Sequence, residues 1–507
     1  MPRVTAEPGR SRPWAGDALL AATGAAMLAA ALLGDPAPVA VPAQADRPVS
    51  ARAGDRGDIR AHNSPTLARN PRRPAELAVT SRIDTPRFSC ALRVSPDGGR
   101  SWRSTRVPIP AGEQRKCYAP DVAFGPDGTL YMSYVTLRGI GNVPNAVWLA
   151  RSRDGGRTLE PPRRVAGPLA FQVRLAVDPA APGTLYVTWL QAREVGPLRF
   201  TAPGNPIVAS SSTDGGRTWS RPARVSSAAR GRVLAGTPRV GRDGELYVAY
   251  LDLGDDRLDY EGGHDALGGP PHPGPFTLVV ARSRDRGATW EESVADDAIR
   301  PTRRFVAFLP PFPALAIDRR SGRIHVAFED RRHGSADVHV WTLAPGASDW
   351  NGPVRLDDAP AIDRSAQYLP QLDVAPSGRL DVAYYDRRGD PRGRRTEVSL
   401  QSSHDDGGSF GERVRLSSRA FDGGIGAGSE RGLPDPGSRI GLISGPADAM
   451  AAWSDTRAGT EASNKQEIRA ARVTFRGGTR PGSGLWLGGG GLLLIAAGAL
   501  LAARSRR

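Results

Sequence analysis

Short segments in which side chains alternate between two faces recur along the chain and predict β-strands. Each segment is apolar and ends on an aromatic residue, and its period of two places successive side chains on opposite faces of a sheet. Large residues take one face and small residues recur on the other, which favours sheets stacked face to face. The copies span residues 130–134, 185–189, 246–250, 324–328, 380–384 and 449–453.

The segments belong to a longer repeating unit of four strands, which we label A to D, and they form strand B. A shorter strand precedes each copy across a glycine turn, and a loop and a third strand follow it. We predict seven units, or six if the first and last share one sheet. The last unit shows only three strands, and the segment near Leu67 is expected to pair with it and close a ring. The units span about 64–108, 118–165, 170–225, 235–294, 310–356, 366–416 and 437–475.

The turn before the fourth strand carries the motif Ser-x-Asp-x-Gly-x-Ser/Thr, which is followed by Trp in three of five copies. Aspartate accepts hydrogen bonds from backbone amides of its own turn, and glycine supplies a position with positive φ. The motif therefore indicates a structural turn, with the tryptophan packed between neighbouring sheets. A degenerate copy ends at Trp350. The five aspartates are Asp97, Asp154, Asp214, Asp285 and Asp405.

This motif is the Asp box, or BNR repeat, and over residues 64–475 the chain resembles the sialidase-like β-propellers. The resemblance implies an all-β propeller of four-stranded blades, seven being favoured and six possible. It also implies that the Asp boxes occupy the C–D turns, away from the functional site. The functional face is then formed by the B–C and D–A loops. Fold alone does not establish an activity.

Composition narrows the class of protein further. The 60 glycines and 45 prolines demand many turns and argue against a helical bundle. The formal net charge is +15, but its arginines are scattered through every segment rather than clustered on one element. We therefore expect an arginine-rich solvated surface and no nucleic-acid partner.

Both ends of the chain carry membrane signals. Residues 1–45 have the layout of a secretory signal peptide, with an uncleaved anchor as the alternative. Residues 485–503 form an apolar stretch long enough to span a membrane, and the arginines in the tail 504–507 mark its cytoplasmic side. With linkers over 46–63 and 476–484, the sequence predicts an extracellular propeller on the cell membrane.

The two cysteines, Cys90 and Cys117, suit an exported protein. An oxidising compartment permits a disulfide between them, and the alternative is two separate buried thiols. Neither cysteine has the spacing to other Cys or His residues that a metal site requires, so no metal is predicted there.

The residues that end strand B are the main candidates for a site. Four of six equivalent positions are Asp, and arginines follow three of them: Arg331, Arg387 and Arg457. Such a ring at the mouth of a propeller channel is suited to an acidic or polyhydroxyl ligand. The alternative is structural, because these aspartates can cap their loops and pair with arginines of neighbouring blades. The aspartates are Asp252, Asp330, Asp386 and Asp455, and the other two positions hold Thr136 and Gln191.

A long B–C insertion at residues 252–275 breaks the symmetry of the repeat. Its carboxylates are candidate Ca²⁺ ligands between Asp252 and Asp265, although they lack EF-hand spacing and a solvated loop is the alternative. The insertion contains Tyr260-Glu261, which invites comparison with the tyrosine nucleophile and glutamate base of sialidases. In that family the two residues are distant from each other, so their adjacency counts against the match.

Three classes of function remain open. A sialidase-type hydrolase would use Asp330, Asp386 or Asp455 as the acid and Tyr384, Tyr385 or Tyr260 as the nucleophile. However, the chain lacks the Phe-Arg-Ile-Pro motif that precedes the first Asp box in active sialidases. We therefore favour a propeller that binds a glycan or a cell-surface protein without a cofactor, as a monomer. Exo-sialidase activity is the first alternative, and a structural or protein-interaction propeller is the second.

Overall fold

Over the part of the predicted propeller that it describes, the computed structural model consists of β-strands joined by turns and loops.

 
The residues described are 39–42, 45–50, 60–194, 202–256, 272–302, 312–356, 365–388, 390, 395–426 and 436–476. The predicted signal segment and the predicted span at 485–503 lie outside these ranges, apart from the short strand β1 (Val39–Pro42). No helix capable of crossing a membrane occurs among the residues described.

The chain divides into two compact units, one of which is residues 42–474 and contains the propeller. The other comprises residues 1–41 and 475–507, of which only 39–41 and 475–476 are described. Within the larger unit, the described residues form seven antiparallel sheets, so the prediction of an all-β propeller with seven blades is confirmed.

The first three blades each contain four strands in chain order, with strand A innermost and strand D outermost. Blade one comprises β3 (His62–Arg69), β4 (Leu77–Ile83), β5 (Ser89–Ser95) and β6 (Arg103–Thr105). Blade two comprises β7 (Cys117–Phe124), β8 (Leu130–Arg138), β9 (Val143–Ser152) and β10 (Arg163–Ala166). Blade three comprises β11 (Ala170–Val177), β12 (Leu185–Gln191), β13 (Ile207–Ser212) and β14 (Ala223–Arg224).

The next three blades repeat this order, and blade six has one additional short strand. Blade four comprises β15 (Val233–Val240), β16 (Leu246–Asp252), β17 (Phe276–Ser283) and β18 (Glu291–Ile299). Blade five comprises β19 (Ala314–Ile317), β20 (Ile324–Asp330), β21 (Asp337–Leu343) and β22 (Asn351–Arg355). Blade six comprises β23 (Gln367–Val374), β24 (Leu380–Asp386), β25 (Arg395–Ser403) and β26 (Val414–Arg415), and β27 (Phe421–Asp422) also pairs with β25.

Blade seven is completed by a segment from the other end of the propeller sequence. Its first three strands are β28 (Gly441–Ser444), β29 (Asp448–Asp455) and β30 (Glu467–Arg476), and β2 (Arg47–Pro48) pairs with β30. The closing segment is therefore not the one near Leu67, because Leu67 lies in the inner strand of blade one. Residues 46–50 accordingly belong to the propeller, although the sequence predicts a linker over 46–63.

Apolar clusters fill the space between neighbouring blades and hold the ring together. One of them joins blades seven and one and includes Val49, Leu67 and Ile443. Where a tryptophan follows a Ser-x-Asp turn, it packs against the cluster shared with the preceding blade, as Trp102 does here. The equivalent packing is made by Trp219, Trp290 and, from the degenerate copy, Trp350.

All five Ser-x-Asp turns lie between strands C and D and share one hydrogen-bond pattern. In the first, the Ser101 amide and hydroxyl donate to the two carboxylate oxygens of Asp97, at 2.9 and 2.6 Å. The amide of Gly99 donates to the Ser95 hydroxyl at 2.8 Å. Glycine is required at this position because its φ is +88°, in the left-handed region. The equivalent carboxylates of Asp154, Asp214, Asp285 and Asp405 accept the same bonds.

A disulfide bond joins the first two blades. It connects Cys90 in β5 with Cys117 in β7, whose Cα atoms are 5.7 Å apart. The bond therefore links the third strand of blade one to the inner strand of blade two.

Candidate functional site

Six equivalent positions lie at the end of strand B in blades two to seven, on the face formed by the B–C and D–A loops. We call this the loop face, and the opposite end, formed by the A–B and C–D turns, the turn face. In blades two, three, four and six, the residue at this position pairs with the first residue of strand A. The six residues are Thr136, Gln191, Asp252, Asp330, Asp386 and Asp455.

The carboxylates of Asp386 and Asp455 are fully buried and accept hydrogen bonds from the arginine two residues later. Asp386 accepts from the amide and the Nε of Arg388, at 3.0 and 2.8 Å. Asp455 accepts from the amide, Nε and Nη2 of Arg457, at 2.9, 2.8 and 2.6 Å. Each Asp-x-Arg segment is thereby closed into a tight turn that fixes the start of the B–C loop.

Asp330 makes the same arrangement in blade five. Its Oδ1 accepts from the amides of Arg332 and Arg300, at 2.8 and 3.1 Å, and its Oδ2 accepts from the Nε of Arg332 at 2.6 Å. Burial raises the pKa of Asp330, although Arg332 opposes the shift. Arg332 also contacts Asp296 of β18 at 2.7 Å, which ties this turn to blade four. The three candidate acids thus share one set of structural contacts, and a catalytic role for them stays a prediction.

The three arginines predicted to bind ligand are placed differently from one another. Arg457 lies in the turn that it forms with Asp455, and 8% of its side chain is exposed. Arg331 donates from Nε to the carbonyl oxygen of Pro301 at 2.6 Å. Arg387 lies over the ring of Tyr368, with its Cζ 5.1 Å from the ring centroid. Arg387 is therefore the one of the three placed against an aromatic face.

Asp252 ends the corresponding strand of blade four, before the long insertion. It accepts a hydrogen bond from the Gly254 amide at 3.1 Å and lies 3.4 Å from Arg230. The insertion is described only up to residue 256 and again from residue 272, so Tyr260 and most of the predicted Ca²⁺ loop lie outside the described residues. Elsewhere in the described ranges, no group of three His, Cys, Asp or Glu side chains is arranged to hold a metal ion.

The two other tyrosines predicted as nucleophiles are fully buried. The Tyr384 hydroxyl donates to Gln401 Oε1 at 2.6 Å. The Tyr385 hydroxyl donates to the Ser454 carbonyl at 3.2 Å and accepts from the Ser454 amide at 3.0 Å. Burial raises the pKa of Tyr385 well above its usual value. Tyr384 is therefore packed between blades five and six, and Tyr385 is held against blade seven.

Glu329 of β20 is a fully buried carboxyl group that no motif in the sequence indicated. It accepts hydrogen bonds from the Leu369 amide at 2.9 Å and from the Thr302 hydroxyl at 2.7 Å. Burial raises the pKa of Glu329 to about 7, although these hydrogen bonds and the charge of Arg387 oppose the shift. Interior groups that titrate near neutral pH are frequent at functional sites.

Glu329 of blade five and three residues of blade six form what we call the Arg387 cluster, the three being Tyr368, Tyr385 and Arg387. The two tyrosine rings stack with centroids 5.3 Å apart, and Arg387 covers the ring of Tyr368. A guanidinium group over an aromatic face combines a cation with a planar apolar surface. The cluster contains two residues predicted from the sequence, Tyr385 and Arg387, and two that were missed.

A break in the repeat marks Glu329 in the sequence. The residue just before the strand-end position is apolar in three other blades, where it is Val135, Leu190 or Leu251. Blade five has a glutamate there, inside a strand that is otherwise buried throughout. Comparison of the strand-B copies with one another therefore carries the signal that was missed.

A β-bulge interrupts the inner strand of five blades near the loop face, and in blade six it serves the cluster. There the register shifts between Tyr368 and Gln371, and Leu369 has a φ of +57°. This conformation is compatible with the hydrogen bond from the Leu369 amide to Glu329. Bulges redirect backbone groups and are common beside active sites. The other four shifts follow Asn63, Tyr118, Phe171 and Leu234.

No family model and no curated protein matches this chain. Among solved structures, an ulvan lyase is 14% identical, with 86% of this chain and 96% of that chain covered and a TM-score of 0.47. An α-L-arabinofuranosidase from Fusarium graminearum is 16% identical, with 74% and 98% covered and a TM-score of 0.44. A Hadza microbial sialidase is 16% identical, with 79% and 73% covered and a TM-score of 0.42. At such identities the likeness concerns the fold alone.

Proposed function

We propose that this protein is an exported, membrane-anchored β-propeller that binds a glycan, or another acidic or polyhydroxyl ligand, at its loop face without hydrolysing it. Export and anchoring rest on the sequence patterns at residues 1–45 and 485–503. The binding face rests on the Asp-box resemblance and on the Arg387 cluster. In this proposal the propeller acts as a monomer outside the cell, and its ligand is a free glycan or one carried by a cell-surface protein.

The position of Arg387 is the observation that carries the proposal. Its guanidinium lies on the Tyr368 ring, and its Nε donates to the Thr396 hydroxyl at 3.4 Å, so part of its side-chain freedom is already lost. The nearby Glu329 has a pKa of about 7, so near neutral pH its carboxyl is only partly ionised and only partly offsets the guanidinium charge. Such a guanidinium is suited to a carboxylate on a saccharide.

The burial of the predicted catalytic groups supports binding rather than hydrolysis. Glycoside hydrolysis needs a nucleophile or base and an acid within reach of the substrate. Among the described candidates, the two tyrosines and three aspartates have almost no exposed surface and already hold hydrogen-bond partners. The candidates concerned are Tyr384, Tyr385, Asp330, Asp386 and Asp455.

Glycan-array binding and turnover, measured on the same full-length chain purified in detergent, test the proposal. We expect binding to sialylated or uronic-acid glycans and no turnover of a fluorogenic sialoside or a glycoside panel. Arg387→Ala should weaken binding at least tenfold. Arg284→Ala is the matched control, since Arg284 lies in a Ser-x-Asp turn on the turn face, 3.0 Å from Glu291, and should bind like the wild type.

Other outcomes of this experiment have distinct meanings. Turnover of any glycoside would contradict binding without hydrolysis. Neither binding nor turnover would favour a structural or protein-interaction propeller instead. Binding that survives in Arg387→Ala would show that the ligand uses a different part of the molecule.

Hydrolase activity is the second candidate, and Glu329 is the observation that favours it. A carboxyl group with a pKa of about 7 can act as a general acid at neutral pH, although Glu329 is as buried as the five groups above and its burial counts against hydrolysis in the same way. If turnover is found, Glu329→Gln should abolish it, and the wild-type rate should fall as pH rises through 7. Turnover that persists in Glu329→Gln would exclude this residue as the acid.

Protease treatment of intact cells tests the proposed topology. An extracellular propeller anchored by residues 485–503 should be cleaved from outside, while a tag placed after Arg507 should remain protected. Protection of the whole chain, or release of the full-length protein into the medium, would contradict the proposed anchoring.

A further inference from the structure

A cavity of about 510 Å³ occupies the channel along the propeller axis. It is lined by the second halves of the inner strands of all seven blades and by several A–B turns, so it opens toward the turn face. It is therefore distinct from the Arg387 cluster, which lies near the loop face. A cavity of this size is comparable with small-molecule binding sites.

Eight charged side chains line this cavity: Asp318, Arg319 and Arg320 in the A–B turn of blade five, and five others that come from five different blades. Of these five, three are the guanidinium groups of Arg174, Arg239 and Arg439, and two are the carboxyl groups of Asp121 and Asp373. Because these residues lie in or beside inner strands, the ring brings them together from distant parts of the sequence. The cavity wall thus carries an excess of positive charge.

One of the three arginines is fully paired. The Nε of Arg174 donates to Asp121 Oδ2 at 3.0 Å, and both side chains are buried. The Leu175 amide donates to the same oxygen at 3.1 Å. Burial acts to raise the pKa of Asp121, but Arg174 and Arg439 hold it below its usual value. The Arg174–Asp121 pair therefore contributes little net charge to the cavity.

Arg439 is held without a carboxylate partner among the described residues. Its Nε donates to the carbonyl oxygen of Ser64 at 3.1 Å, and its Nη2 donates to that of Pro120 at 2.6 Å. These bonds position the guanidinium but leave its charge uncompensated by an ion pair. Burial, together with the nearby charge of Arg174, lowers the pKa of Arg439 to about 9.

Arg239 has still fewer contacts within the described ranges. Its one hydrogen bond runs from Nη1 to the carbonyl oxygen of its neighbour Pro238, at 3.0 Å, and it forms no ion pair there. Burial and the charge of Arg174 lower its pKa. The Asp373 carboxyl accepts the Ser444 amide at 2.6 Å and makes no ion pair with either arginine. Outside the blade-five turn, and apart from the Arg174–Asp121 pair, two guanidinium groups therefore face the cavity with one carboxyl group, Asp373, to balance them.

We propose that this cavity is a second binding site, specific for a small molecule that carries an oxyanion, with Arg239 as its principal contact and Arg439 supporting it. A guanidinium presents paired N–H donors that match the oxygens of a carboxylate, phosphate or sulfate group. Such an anion would compensate the positive charge that the cavity wall carries. It would enter from the turn face and would not compete with a ligand at the loop face.

The oxyanion has two possible sources, either a free inorganic ion or an acidic group on a saccharide. The volume of about 510 Å³ exceeds what one inorganic ion fills, so we favour an acidic monosaccharide. Equilibrium binding of phosphate, sulfate, glucuronate and neutral glucose distinguishes these sources. Tighter binding of glucuronate than of phosphate indicates the saccharide, and the reverse order indicates the free ion.

The test uses the full-length chain in detergent and isothermal titration calorimetry, in an Arg387→Ala background so that the proposed loop-face site does not contribute. Adding Arg239→Gln should weaken anion binding at least tenfold, while Arg239→Lys should retain part of it. Asp373→Asn should tighten binding, because it removes the opposing carboxylate and keeps an oxygen for the Ser444 amide. Arg242→Gln is the matched control, since Arg242 lies on the adjacent turn, 62% exposed and outside the cavity.

The proposal fails if no anion binds saturably, or if glucose binds as tightly as glucuronate. It also fails if Arg239→Gln binds like Arg242→Gln. Arg239→Gln is expected to fold, because only one hydrogen bond to a neighbouring carbonyl is lost, and its thermal unfolding is measured alongside. The opposite effects expected of Arg239→Gln and Asp373→Asn cannot both arise from a general loss of structure.

Discussion

Asp46 and Arg457 are 411 residues apart in the chain, yet they form a two-point ion pair. Nη1 and Nη2 of Arg457 donate to Oδ1 and Oδ2 of Asp46, at 3.0 and 2.9 Å. The Nε of Arg469 adds a bond of 2.8 Å to Oδ1. The Asp46 side chain is fully buried, so these contacts fix the N-terminal segment on blade seven.

Asp46→Asn should lower the free energy of unfolding by about 3–5 kcal/mol, because it leaves two buried guanidinium groups with reduced compensation. Chemical denaturation followed by tryptophan fluorescence measures the change. Asp243→Asn is the control, since the Asp243 side chain is 79% exposed, and it should have little effect. Equal stability of the two variants would show that the pair does not hold the closing segment.

Glu329→Gln should remove a pH dependence of stability. Because burial raises the folded-state pKa of Glu329 from 4.5 to about 7, its contribution to stability is full below pH 4.5 and is lost as pH rises through 7. The difference corresponds to about 3 kcal/mol. Unfolding free energies measured between pH 4.5 and 7 should therefore fall with pH in the wild type and less so in the variant.

The control for this experiment is Glu291→Gln, because the Glu291 side chain is 71% exposed on the turn face. This variant should keep the wild-type slope of stability against pH. If Glu329→Gln also kept that slope, the buried carboxyl would not be the titrating group.

Asp97→Ala should destabilise the propeller by roughly 1–2 kcal/mol and leave ligand binding unchanged, because it removes the hydrogen bonds that close one Ser-x-Asp turn. Burial is the largest single contribution and acts to raise the pKa of Asp97, but the hydrogen bonds together lower it to about 2. The stabilisation is therefore present above pH 3.8 and is lost as pH falls through 2. Thermal unfolding at neutral and acidic pH measures the loss of stability and its pH dependence. If the folded variant lost ligand binding, the turn would not be purely structural.

Removal of the disulfide should lower stability by about 2–4 kcal/mol. The double variant Cys90→Ser/Cys117→Ser removes the covalent link between β5 and β7. The free energy of unfolding is measured by chemical denaturation for the wild type and the variant. Each protein is measured with and without a thiol-free reductant. The reductant should destabilise only the wild type, and an equal response of both proteins would mean that the bond does not form in solution.

The fold could be predicted largely because each blade repeats its own local signals. Strand B and the Ser-x-Asp turn depend on contacts within a few residues, as the bonds from Ser101 to Asp97 show. The closing strand β2 has only two residues, and its pairing with β30 is set by distant partners. No local pattern in residues 46–50 distinguishes them from a linker.

The candidate site was predicted less completely, for two physical reasons. The sequence shows arginine both one and two residues after Asp330 and Asp386, and backbone geometry selects Arg332 and Arg388 for the ion pairs. Glu329 owes its properties to burial by the neighbouring blade, which is not visible in its own strand.

The charged cavity could not be predicted from the sequence, for a related reason. Arg174, Arg239 and Arg439 share no spacing and no common position in the repeat, and only closure of the ring brings them to one cavity. The partners of Arg174 and Arg439 are likewise non-local, since Arg174 pairs with Asp121 and Arg439 donates to carbonyl groups of blades one and two.

The closure of blade seven sets the order in which the protein can be completed. Residues 46–50 are synthesised before any blade, but β30, with which β2 pairs, is synthesised after all the others. Until β30 emerges, blade one has an uncovered apolar face that includes Leu67 and Leu77. The earliest and latest strands must then find each other, a non-local step that folds slowly and exposes unpaired edges. The growing chain is therefore expected to need protection from aggregation until its last blade is made.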